Sequence, residues 1–172
     1  MSAAESLHAS TPGDSRPPDS AIRVSFRPTA VLISSTRRFS ADVLASVLAD
    51  PDCTSRVALT IHELLENTFK YSTDGQAELE VWVESLDGRG RRVQVVARNR
   101  ATPEQAEELG RRIVALSEAT NPMELYVSMM RESAQRSGSG LGLARIRAEA
   151  EMDLSCALDG DAVIVSASTA AE

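Results

Sequence analysis

The segment His62-Glu63-Leu64-Leu65-Glu66-Asn67-Thr68-Phe69-Lys70-Tyr71 carries three chemically complementary side chains at helical spacing. At about 100° per residue, Glu63, Asn67 and Lys70 fall within a wedge of roughly 60° on one side of a helix. That trio suits phosphate chemistry. An amide oxygen can complete the shell of a phosphate-bound Mg²⁺, an ammonium can neutralise phosphate oxygens, and a carboxylate one turn away can accept a proton from an attacking hydroxyl or water. Alone, such a set more often forms a solvated helix face.

A second segment changes that balance. Ser137-Gly138-Ser139-Gly140-Leu141-Gly142-Leu143 stands just before a helical stretch. Glycines let the backbone come close to a ligand, and a helix N-terminus offers unpaired N–H groups to phosphates. A GxGxG run by itself serves as often for a hinge or cap. Its pairing with an ExxxN helix about 70 residues earlier is the more specific signal. The run is not a Walker loop, because no Gly-Lys-Ser/Thr follows, and no Ser-His-Asp set or dinucleotide fingerprint is discernible.

Taken together, Glu63…Asn67-Thr68-Phe69-Lys70-Tyr71 resembles the N-box of the GHKL (Bergerat-fold) ATPases and kinases, and Gly138-Ser139-Gly140-Leu141-Gly142-Leu143 resembles their GxGLGL box. The resemblance implies ATP and Mg²⁺ as ligands, with Asn67 holding Mg²⁺, Glu63 as the catalytic base and Lys70 on a phosphate. Gly138, Ser139, Gly140, Leu141, Gly142 and Leu143 would wrap the triphosphate. Where the family usually carries DxGxG, with an aspartate on the adenine amino group, this chain has Ala97-Arg98-Asn99-Arg100-Ala101. Asn99 can accept a hydrogen bond from that amino group if its own NH₂ points elsewhere.

The stretch Thr102–Met130, with Tyr126 and the run Ser139–Ile146, is similar to the SiaB-like bacterial serine kinases of the anti-sigma type. That likeness implies an ATP-dependent serine/threonine kinase and regulatory switch. It would phosphorylate a small STAS-like or comparable antagonist protein, and a homodimer stays open. The alternative, motivated by the missing aspartate, is a non-catalytic module that acts by protein–protein binding. A metabolic ATPase fits less well, since no transducer domain accompanies the nucleotide unit.

Several elements must position these groups. Residues 1–20, rich in Ser, Ala, Pro and Asp, have little to bury and are expected to be a flexible leader. The remainder, 21–170, is expected to form one domain with a helical insert at about 102–136. A strand fits Ile22–Phe26, an apolar patch follows at Val31–Ile33, and a helix fits Arg37–Leu48 with Phe39, Val43, Leu44 and Val47 as its stripe. The next helix, capped by Thr54 or Ser55, runs to about Tyr71 and buries Val57, Ile61, Leu64, Leu65 and Thr68.

Alternation in Ala77–Glu84 and Val93–Ala97 predicts a hairpin, and matching the two apolar faces requires an odd-length loop. Thr102-Pro103-Glu104 and Asn121-Pro122 start helices, Leu141–Met152 is helical, and Leu154–Leu158 with Ala162–Ser168 make a last hairpin. This order predicts an α+β fold: a two-layer α/β sandwich of the Bergerat kind, its mostly antiparallel sheet covered on one face by helices.

Composition agrees with a soluble globular chain. Of 172 residues 42% are hydrophobic, 25% charged and only 3% aromatic, so the core must be aliphatic. A net charge of −7 disfavours broad binding to nucleic acid. No run approaches the ~18–20 apolar residues of a membrane span and no signal peptide is present, so a cytoplasmic location without membrane contact is expected. Cys53 and Cys156 read as reduced structural thiols. His62 reads as a surface histidine, Met123, Met129 and Met130 as core or lid packing, and Arg111-Arg112 with Arg145 and Arg147 as solvated helix faces. A weaker reading brings Arg145 or Arg147 near phosphates.

Overall fold

The computed structural model describes residues 20–86, 90–133 and 140–171. Five strands and five helices form among the described residues, in the order β1 (Ser20–Phe26), α1 (Ala30–Val47), α2 (Pro51–Tyr71), β2 (Ala77–Ser85), β3 (Arg91–Arg100), α3 (Pro103–Ser117), α4 (Pro122–Ser133), α5 (Leu141–Ala148), β4 (Asp153–Asp159) and β5 (Ala162–Ala171). The strands make one fully antiparallel sheet of order β1-β2-β3-β5-β4. The architecture is therefore the expected α+β two-layer sandwich.

The alternation seen in the sequence sets the register. Leu79, Val81 and Val83 of β2 lie opposite Ala97, Val95 and Val93 of β3, and all six are buried. Ser85 pairs with Arg91, which leaves a five-residue connection, odd in length as the facing of the two strands demands. On the other face polar pairs run across the strands, including Arg23 with Glu80 at 2.9 Å and Arg98 with Asp159.

α2 is the central support of the helical layer. Its buried side chains include Val57, Ile61, Leu64, Leu65 and Thr68, the stripe read from the sequence. α1 ends at Val47 with Leu48 as its cap, and Pro51 stands in the first turn of α2, where its missing N–H costs nothing. The cap is Asp50, whose side chain accepts from the Asp52 N–H at 2.8 Å, so Thr54 and Ser55 lie inside the helix rather than at its start.

α1 begins seven residues earlier than periodicity suggested. Thr29 caps it by accepting from the Leu32 N–H at 3.2 Å, which draws Val31–Ile33 into the helix. Its core-facing residues are Ile33, Ser40 and Leu44, whereas Phe39 is 53% exposed. α3 carries the full capping box at Thr102 and Gln105 and packs on β4 and α5. α4 packs on α5, with Tyr126 buried and Met129 against the core as expected, whereas Met123 and Met130 are turned outward, against that expectation.

α5 stops at Ala148, four residues short of the expected end. Glu151 adopts φ 53°, and the turn places Ala150 and Met152 wholly in the core. No helix among the described residues is long and apolar enough to cross a membrane.

Candidate functional site

α2 presents Glu63 and Asn67 one turn apart, and α5 brings Gly142 against Glu63. Gly142 touches the Glu63 carboxyl group so closely that a Cβ built there would stand 2.5 Å from Oε2 and 3.4 Å from Cδ. A side chain at position 142 would displace the Glu63 carboxylate, whereas glycine lets it stay. The two motifs, 79 positions apart between Glu63 and Gly142, therefore converge on one place.

The Glu63 side chain is only 14% exposed, and a carboxylate so placed needs a partner. Arg145 supplies it, with Nη1 donating to Oε1 at 3.1 Å, while Arg145 Nε donates to Glu149 at 2.7 Å. Tyr126 joins the same cluster. Burial, and then the Glu149 carboxylate, push its hydroxyl above the ordinary phenol range. Glu63 is thus held by an arginine one turn into α5 and flanked closely by Gly142.

Asn67 is not paired in this way. Its side-chain nitrogen is buried and makes no hydrogen bond. A buried amide left unpaired is unfavourable by about 1–3 kcal/mol, and a ligand that engages it would relieve that. An amide oxygen is also a proper ligand for Mg²⁺, so Asn67 fits a metal carried on a phosphate chain.

The other sequence-derived residues are spread more widely. Lys70 is exposed in the last turn of α2. Asn99 sits at the far end of β3, where its Nδ2 donates to the Arg100 carbonyl at 3.0 Å. That end is pinned to the C-terminus of α2 by Thr73 N–H on the Arg100 carbonyl at 3.0 Å, and to the β4–β5 turn by Ala101 N–H on Asp161 at 3.1 Å. Leu143 is buried in the core and Leu141 packs against it, so their part in any ligand contact falls to backbone N–H groups. Gly138 and Ser139 lie outside the described residues.

Arg112 is the residue that sequence reading misplaced. It reaches from α3 to the glycine segment, with Nη1 2.7 Å from the position of a Cβ on Gly140. Arg145 carried a faint signal, standing three residues after Gly142 on the same helix; Arg112 carried none. A hollow of about 580 Å³ opens elsewhere, along the outer face of α4 between Asn121, Met123, Val127 and Arg131.

No protein-family model matches this chain, and no curated protein does. Among solved structures, a chain of the SiaB–SiaC complex from Pseudomonas aeruginosa aligns with a TM-score of 0.65 over 86% of this chain and 88% of its own length, at 19% identity. What is shared is the fold. At that identity the likeness extends to the arrangement of helices and strands.

Proposed function

We propose that this chain is an ATP-dependent serine/threonine protein kinase of the Bergerat type that acts as a regulatory switch on a small antagonist protein. The observation that carries the reading is the contact of Gly142 with Glu63. It brings the carboxylate of one helix, with the Asn67 amide a turn further along, to the N-terminus of another, as phosphoryl transfer requires. The fold neighbour is a chain from a two-protein complex, which supports a protein partner; we take that partner, of STAS-like or comparable kind, as the acceptor.

In this reading Glu63 accepts the proton of a serine or threonine hydroxyl on the partner. The freed oxygen bonds to the terminal phosphorus, the bond from that phosphorus to the bridging oxygen breaks, and ADP leaves with the electron pair. Mg²⁺, held by the Asn67 amide oxygen and phosphate oxygens, would neutralise charge along the phosphate chain. The first amides of α5 face the same charge. Asn99 would accept from the adenine amino group, a role its geometry favours, since its NH₂ is already engaged by the Arg100 carbonyl. Lys70, one turn beyond Asn67, remains the proposed phosphate-contacting cation.

Titration calorimetry on the full chain with Mg·ATP and Mg·ADP tests the proposal. Binding in the micromolar range supports it, and an absence of heat at millimolar nucleotide overturns it. Gly142→Ala is a sharper probe of the carrying contact. Alanine favours a helix by up to about 1 kcal/mol over glycine, so the thermal midpoint should hold or rise. The Glu63 carboxylate, however, must give way to the new methyl group, and a displacement near 1 Å is expected to slow turnover of γ-labelled ATP by about 100-fold.

One observation favours a second reading, that of a binding module without catalysis. Met123 and Met130 are exposed and Val127 half-buried, at spacings of four and three residues on one face of α4, an adaptable surface for a partner. The same calorimetry separates the two, because a module of that kind gives no heat with nucleotide.

A further inference from the structure

Resting on the nucleotide reading above, we infer that Arg112 binds the terminal phosphate of ATP and so lets the site tell ATP from ADP. Arg112 belongs to α3, outside both motifs. Its Nε donates to Glu108 at 2.7 Å, which fixes the plane of the guanidinium, and its Nη1 lies over the backbone of Gly140. Gly140 adopts φ 109°, in the region that glycine alone enters easily, and is the cap residue of α5 with no side-chain cap bond. A guanidinium is a rigid fork of donors, the geometry that suits phosphate oxygens, and here it stands beside the first residue before α5.

The position of Arg112 along the site follows from its neighbours. The adenine end is marked by Asn99, beside Thr73 and Arg100 at the end of β3. The reacting end is marked by Glu63, in contact with Gly142. Gly140 lies two residues from Gly142, and Arg112 covers it, so its cation stands at the end where phosphate is transferred. One glycine of the pair meets a carboxylate and the other a guanidinium, a proton acceptor and an anion binder set side by side.

Calorimetry on Arg112→Ala and Arg112→Lys, each with Mg·ATP and Mg·ADP, decides the matter. Loss of a charge-assisted hydrogen bond should weaken Mg·ATP binding by Arg112→Ala about 10- to 100-fold. Mg·ADP binding and the thermal midpoint should stay close to those of the unaltered chain. Arg112→Lys keeps the charge without the fork and should fall between. Equal loss for both nucleotides, as a purely structural strut would give, or no loss for either, overturns the inference while the nucleotide reading stands. Failure of the unaltered chain to bind either nucleotide overturns that reading, and this inference with it.

Discussion

Glu63→Gln is expected to leave Mg·ATP bound and to slow turnover of γ-labelled ATP, whether to water or to a protein acceptor, by about 10²- to 10⁴-fold, the usual contribution of a general base. Glutamine has the size and shape of glutamate but does not take up the proton. The Arg145 Nη1 that now donates to Glu63 Oε1 can donate to the amide oxygen instead, and Arg145 keeps its second carboxylate, Glu149, at 2.7 Å. The substitution therefore removes the base without emptying the space beside Gly142. A variant that turns ATP over within a few-fold of the unaltered chain would show that Glu63 serves only as the partner of Arg145.

Asn67→Ala should act on binding rather than on the base. The Asn67 nitrogen is buried without a partner, so its removal leaves no other group orphaned and the fold should keep its thermal midpoint. Loss of even an outer-shell partner of a metal typically weakens affinity about 10- to 100-fold, and a direct ligand should matter at least as much. ATP titrations with Mg²⁺ and with chelator are expected to differ for the unaltered chain and to coincide for the variant. If Asn67→Ala still binds ATP more tightly with Mg²⁺ by the original margin, the amide is not a metal ligand.

How far the sequence could be read depended on the range of the interaction that decided each feature. α2 was legible because its apolar residues recur every three to four positions, and β2 with β3 because theirs recur every two. The start of α1 was not, since Val31 and Ile33 are β-branched and look like a strand until Thr29 is seen to cap the turn. Phe39 looked like core by type, yet Ser40 occupies the inward position and Phe39 lies about 100° around the helix from it. The residues after Ala148 are good helix formers, but burial of Ala150 and Met152 outweighs that preference and forces the chain out of the helix.

The candidate site divides along the same line. Glu63 and Asn67 were found because they share one helix, and the glycines because their type is unusual at close spacing. The approach of Arg112 to Gly140 spans 28 positions and that of Arg145 to Glu63 spans 82, and neither leaves a periodic trace in the sequence. Such contacts are set by how α3 and α5 dock on the sheet. The same holds for Asn99, whose end of β3 is defined by bonds from α2 and from the β4–β5 turn.

The two walls that face each other across Glu63 and Gly142 are anchored to a similar degree. α2 runs 21 residues with nine of them buried, and α5 runs eight with four buried. Both walls have therefore surrendered much of their conformational freedom on folding, so a ligand that arrives between them has little left to order on either side.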